Sequence, residues 1–293
     1  MKKLKLKSAM LALVCVIGAL PVYAQNDGIP VGKMSRARVL GGDMAQVDQQ
    51  SKMQYDQMLK QAHDKDAVAS DTNPQLIRLR AIAKRLIPYT KRWNPDAAGW
   101  KWEVNLLNSD TVNAFCMPGG RIAFYNGILT KLNLTDDEVA AVMGHEIAHA
   151  LREHARKQAG LNTATSTVAR VGGSILAGYF GLDPRLGDAG GSAVAQVTAL
   201  KFSRNDESEA DLVGLDLAAR AGYDPRAGVA LWQKMAALNK NQPIGFLSTH
   251  PTGKDRIQNM NEHMNLVLPV FARAKGLDPQ NLPKYHSLAL PKA

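Results

Sequence analysis

The pentapeptide His145-Glu146-Ile147-Ala148-His149 constrains this chain more than any other stretch. Two histidines four residues apart lie one above the other on a helix face, so a helix brings both rings to one ion. Their ring nitrogens then fill two corners of a zinc tetrahedron. Glu146 sits about 100° around the helix from His145, beside the ion without replacing a ligand. From there it can act on water at the ion. The surrounding residues 135–157 read as one helix. Thr135 with Glu138 forms a capping box, and Asp136 and Asp137 favour the positive end of the helix dipole. Val139, Val142, Met143, Ile147, Ala150 and Leu151 recur at helical spacing. An amphipathic helix with surface histidines could carry the same five residues, so the reading needs a third ligand and a strand that faces a substrate.

The third ligand is sought in a helix running from about residue 203 to Gly222. Glu207, Ala210, Asp211, Gly214 and Ala218 fall on one face of it. Two acids among small residues suggest close approach to another helix. Glu207 is the candidate ligand. Asp211, one turn on, can accept the free N–H of a ligating histidine and fix its tautomer. An acidic helix start also complements the dipole by itself; the histidine pair is what favours ligation. Glu209 points elsewhere and reads as surface charge. A metzincin arrangement would need glycine at 152 and histidine at 155, where the chain has Arg152 and Ala155. His154 reads as a cap or packing residue near the helix end.

The strand comes from residues 100–125, where the period switches to two. Trp102, Val104 and Leu106 alternate with Glu103 and Asn105, residues 111–116 and 121–125 give two more strands, and Pro118-Gly119-Gly120 makes a turn. A small antiparallel sheet is therefore expected directly before the zinc helix. A free sheet edge beside a metal can hold an extended peptide by main-chain hydrogen bonds. Upstream, residues 43–63 read as a helix with Met44, Val47, Tyr55, Met58 and Leu59 as a narrow apolar stripe. Asn73-Pro74 starts another, with Leu76, Leu79, Ile82, Ala83 and Leu86 as its core face. Residues 25–42 are expected to be a mobile lead-in. Residues 160–200 are rich in small residues. They read as closely packed helices with a mobile connection near 181–191, against the alternative of a lid over the site.

Composition places these elements. With 293 residues, 45% hydrophobic and 21% charged, the chain has ample material for a core. Residues 1–24 read as a cleavable export signal: four lysines, an apolar run from Ala9 to Leu20, and Val22-Tyr23-Ala24 before the cut. Bulky Val14 before Cys15 argues against lipoprotein anchoring. Loss of the four lysines, with no acid, lowers the formal charge from +10 to +6. That mild excess suits solubility or weak peripheral contact with anionic membranes. No basic stripe with interleaved aromatics points to nucleic acid. Cys116, the single cysteine after the signal, precludes an internal disulfide. The expected layout is a signal at 1–24, a lead-in and helix at 25–72, a zinc metallopeptidase domain at 73–268 and a C-terminal tail at 269–293.

Four stretches in order, NAFCMPGGRIAFYNGIL, GHEIAHALREH, FSRNDESEADLVGLDLAARAGYDP and STHPTGKDRI, resemble the metalloprotease family that includes HtpX, BepA, the Oma-type proteases and the CAAX prenyl proteases, peptidase family M48. The resemblance spans residues 76–266. It implies an α+β, mainly α, gluzincin fold with the small antiparallel sheet beside the HExxH helix. It implies one Zn2+ per chain held by His145, His149 and Glu207, and endopeptidase activity with Glu146 as base. The family's E-x-x-A-D pattern falls on Glu207 and Asp211. Asn113, Ala114 and Phe115 match its substrate-binding edge strand. His250 matches a histidine that can approach the zinc as a regulatory fourth ligand or oxyanion contact, with Arg256 supporting the nearby acids. In lacking a repeat tail and obvious spans, the chain resembles the soluble periplasmic members. These imply action on misfolded or misassembled envelope and outer-membrane polypeptides. Two other classes remain open: a periplasmic chaperone or assembly factor with latent proteolysis, and a structural zinc protein. An intact Glu146 argues against the latter, since a structural site needs no base.

Overall fold

The structure, a computed structural model, describes residues 27–165, 202–240, 244–251 and 254–291. The expected signal at 1–24 and the expected mobile connection at 181–191 lie outside these residues. Helix α1 (Met44–His63) is capped by Asp43, whose carboxylate accepts from the N–H groups of Ala45 and Gln46. Helix α2 (Pro74–Leu86) starts with Asn73 as cap and Pro74 in the first turn, where a missing N–H costs nothing. Its predicted face, Leu76, Leu79, Ile82, Ala83 and Leu86, is buried throughout.

Strands β1 (Glu103–Leu107), β2 (Ala114–Met117) and β3 (Arg121–Tyr125) form one sheet in the order β1-β3-β2. β2 pairs with β3 antiparallel, but β1 pairs with β3 parallel, so the sheet is mixed where a wholly antiparallel one was expected. Side-chain periodicity is two in both pairings and cannot tell them apart. The β2–β3 turn needs Gly119 and Gly120 at φ 83° and 88°. Alternate residues feed two cores. Val104, Leu106, Ala114, Cys116, Ile122 and Phe124 face the main helical core. Leu107, Phe115, Met117, Ala123 and Tyr125 face α1 through Tyr55, Met58 and Ala62. β2 and β1 are the two edges.

After the short helix α3 (Asn126–Lys131), helix α4 (Asp136–Leu151) carries the predicted capping box, with Thr135 and Glu138 exchanging hydrogen bonds. The helix does not continue to residue 157 as the periodicity suggested. It ends at Arg152, Glu153 takes a left-handed φ of 53°, and α5 (His154–Thr165) sets off anew. Arg38 and Arg156 hold the Glu153 carboxylate at 3.0 and 2.7 Å and so stabilise a conformation that an L residue rarely adopts.

Helix α6 (Arg204–Arg220) opens on a second reciprocal cap, Ser203 with Asp206. It crosses α4 where both helices lack a side chain. A Cβ on Gly144 would come within 2.9 Å of the Gly214 carbonyl oxygen, and one on Gly214 within 2.8 Å of the His145 nitrogen. The small-residue stripe read from the sequence does mark a close helix approach. Gly144→Val is expected to force the helices apart and cost about 1–3 kcal/mol, read as a lower urea midpoint of the metal-free protein. An unchanged midpoint would show that the crossing is soft.

Helices α7 (Arg226–Asn239), α8 (Phe246–Thr249) and α9 (Lys254–Lys275) complete the helical layer. The boundary expected after residue 268 falls inside α9, which runs on through Pro269. Beyond it the chain crosses the start of α4: the Tyr285 and Thr135 hydroxyls lie 3.1 Å apart, Ser287 donates to Glu138, and Asn133 donates to the Ala289 carbonyl. The lead-in expected to be mobile is likewise anchored over its described part. Ile29 is buried, Arg220 and Arg92 donate to the Asp27 carbonyl, and Arg152 donates to the Gly32 carbonyl. Its polar composition hid this, because the anchors are backbone carbonyls that composition does not register. No helix among the described residues is long and apolar enough to cross a membrane.

Candidate metal centre

α4 presents His145 and His149 on one face, and their Nε2 atoms lie 3.1 Å apart. α6 brings Glu207 opposite them: Oε2 is 3.5 Å from His145 Nε2 and Oε1 is 3.6 Å from His149 Nε2. His250, at the C-terminal end of the single turn α8 rather than at the start of a helix, adds its Nδ1 at 3.3 Å from His145 Nε2 and 3.0 Å from Glu207 Oε1. All four side chains are buried. A tetrahedral ion with ligands at about 2.0–2.1 Å separates those ligands by about 3.3 Å. The separations here, 3.0 to 3.6 Å, bracket that figure, with Glu207 turning Oε2 toward His145 and Oε1 toward His149 and His250.

The donor set fits a divalent cation by its chemistry also. Imidazoles and a carboxylate converge on one point, and Glu207 Oε2 is buried without a well-aligned hydrogen-bond donor. Burial and the neighbouring His145 hold the His149 imidazole well below its usual range, so it stays unprotonated. Burial pushes His145 down too, but the carboxylates of Asp211 and Glu207 outweigh it and hold it above its ordinary value. Burial raises Glu207, yet the imidazoles of His250, His145 and His149 together keep it well below the usual carboxylate range. A carboxylate held anionic and an imidazole held unprotonated meet where a cation would accept a lone pair from each. Among the described residues this ligating group does not include Cys116, whose buried thiol is pushed up by burial and by the Glu146 carboxylate.

The remaining predicted residues surround this cluster. Asp211 Oδ1 lies 3.0 Å from His145 Nδ1, a short ionic contact away from the ring N–H direction. Arg256 donates to both Asp211 oxygens at 2.7 Å, and its Nη1 is 2.6 Å from Glu207 Oε2. The guanidinium lies over the Trp232 ring at 3.6 Å, and Trp232 Nε1 also donates to Asp211. Glu146 is buried beside the cluster, with Oε1 3.7 Å from His250 Nε2. Burial pushes its carboxyl up to about 8. It faces a small cavity lined by Asn113, just before β2, and by Ala114 and Phe115 at the start of that strand, together with His149, Phe202 and His250. The Asn113, Ala114 and Phe115 segment thus lies next to the candidate base.

Three features escaped the sequence. Phe202 and Phe246 stack on either side of the His250 ring, at centroid distances of 5.2 and 4.4 Å, and set its plane. Glu209 is no simple surface charge: it pairs with Arg152 at 2.6 Å and His154 at 3.0 Å. His154 takes the packing alternative rather than the capping one, and its contact with the His149 ring has no mark in the sequence. Phe202 stands directly before the Ser203 cap, a position that fixes it over α4, but no periodicity marks it.

Comparison with known proteins agrees with this geometry. A family model described as "Peptidase family M48" matches residues 75–264. A "Mitochondrial metalloendopeptidase OMA1" of Arabidopsis thaliana is 38% identical over 54% of this chain and 30% of its own length. "Metalloprotease LoiP" of Escherichia coli is 29% identical over 74% of this chain and 82% of its own. A "Beta-barrel assembly-enhancing protease" of Yersinia pestis is 30% identical over 60% and 37% respectively. The chain therefore spans about a third of the length of two of these relatives.

Proposed function

Because the chain belongs to peptidase family M48, we propose that it is a zinc-dependent endopeptidase that cleaves misfolded or damaged cell-envelope proteins. The observation that carries this is the convergence of His145, His149 and Glu207 beside a buried Glu146 oxygen that has no hydrogen-bond partner. Zinc held by those three residues would supply Lewis acidity toward the scissile carbonyl and acidify the attacking water. Glu146 takes the proton of that water and returns it to the leaving amine. Asn113, Ala114 and Phe115, leading into the β2 edge, hold the substrate backbone as an added strand. Asp211 and Arg256 keep His145 and Glu207 in place. Export through residues 1–24 brings the enzyme to the periplasm. The name of the Yersinia pestis relative ties that protein to β-barrel assembly, which supports outer-membrane polypeptides as the substrate class here.

His250 favours a gated form of the same reading. Its Nδ1, 3.3 Å from His145 Nε2 and 3.0 Å from Glu207 Oε1, would serve as a fourth ligand at the position that catalytic zinc sites keep open for substrate. In this reading the resting enzyme is latent and His250 leaves before cleavage. One experiment tests both: cleavage of denatured casein by native and His250→Ala protein, with metal content measured and with a chelator added. The native protein is expected to hold one zinc per chain, to cut slowly, and to lose all cutting to the chelator. His250→Ala is expected to cut several-fold faster. Chelator-resistant cutting or a metal-free native protein would refute the enzyme reading; unchanged rates in His250→Ala would refute the gate alone.

A further inference from the structure

His154 is absent from the ligand set, yet it is 1% exposed and touches a ligand. Its Nδ1 lies 3.0 Å from His149 Nδ1, and its Nε2 lies 3.0 Å from Glu209 Oε2. Glu209 is held in turn by Arg152, whose Nε and Nη2 approach Oε1 at 2.8 and 2.6 Å. For neutral rings these contacts allow one proton arrangement. A carboxylate only accepts, so His154 Nε2 carries its proton. His154 Nδ1 is then a lone pair and accepts from His149 Nδ1–H. That leaves His149 Nε2 unprotonated on the side that faces His145, Glu207 and His250.

An unbroken helix could not make this contact, because residues five apart stand about 140° apart around the axis. The break at Arg152 and the left-handed Glu153 turn α5 back so that His154 meets His149. Every part of the break is tied down: Glu153 by Arg38 and Arg156, and Arg152 by Glu209 and the Gly32 carbonyl. Lys157 neutralises Asp206, which lies 3.6 Å from His154 Nε2. The two ligating histidines are thus backed differently. His145 meets the Asp211 carboxylate directly, while His149 reaches Glu209 through a second imidazole.

We propose that His154, oriented by Glu209, is the positioning residue that fixes His149 as an Nε2 ligand, and that the helix break exists to place it. This rests on the reading that a cation sits at His145, His149 and Glu207. The test compares zinc affinity, by chelator competition on the full-length protein, among native, His154→Leu, His154→Gln and Glu209→Gln proteins. Urea unfolding of each metal-free form runs alongside. Glutamine can accept from His149 and donate to Glu209 at once; leucine fills the space and does neither. Expected is a loss of about 10–100-fold in zinc affinity for His154→Leu, with metal-free stability close to native. His154→Gln should recover most of that loss, and Glu209→Gln should weaken binding several-fold.

The inference is overturned if His154→Leu binds zinc within twofold of native, or if leucine and glutamine weaken binding equally, as a packing role would require. Should His154→Leu not fold, Glu209→Gln with native affinity overturns it equally. A native protein without stoichiometric zinc would instead sink the functional reading beneath it.

Discussion

Glu146→Gln protein is expected to bind zinc as tightly as native and to cleave denatured protein at least about 10²-fold more slowly. The amide keeps the volume of the side chain and alters no candidate ligand, so the fold and the metal should both survive. What it lacks is a site for the water proton. The same substitution has a second signature in the metal-free protein. Burial, with the Glu207 charge adding to it and His250 and Arg256 opposing, raises the Glu146 carboxyl from 4.5 to about 8. A carboxyl whose folded value exceeds its unfolded one costs stability as pH climbs from the unfolded value to the folded one. Glutamine carries no such cost. Metal-free Glu146→Gln should therefore gain stability relative to native between about pH 4.5 and 8 and keep that gain above it. Urea titrations at several pH values read this directly. A constant difference would mean that Glu146 is not desolvated as described, and normal proteolysis would remove it as the base.

The second large effect is expected at Arg256. It is buried, donates to both oxygens of Asp211, reaches Glu207 and rests on Trp232. Arg256→Met preserves much of the packing over Trp232 but strands two carboxylates away from water. Removing one partner of a buried pair costs about 3–5 kcal/mol. The loss should be largest in the metal-free protein, because a bound cation neutralises Glu207 and recovers part of it. Equilibrium unfolding with and without zinc separates the two. Equal losses would mean that Glu207 does not share its charge with the metal.

Much of the site was legible because it is periodic. Two histidines at i and i+4, two acids at i and i+4, and small residues between them can be read from helical geometry alone, and they meet as that geometry requires. The break at Glu153 was not legible. No glycine or proline marks it, and the left-handed backbone is held by Arg38 from more than a hundred residues away. Glu209 therefore reads as surface charge and the partner of the packed His154 stays hidden, since both owe their contacts to that turn. The parallel β1–β3 pairing was hidden because alternation is the same in either direction. Substrate-edge and His250 assignments came from family resemblance, because a lone histidine before a proline carries no pattern of its own.

With no side chain between Gly144 and Gly214, nothing at that crossing can swing aside or repack. The gauge of the ligand cage is thus a property of two peptide backbones, and the residue after one of those glycines is His145 itself. An ion of a different size would find little slack elsewhere either, because Phe202 and Phe246 hold the His250 ring and Arg256 holds Glu207.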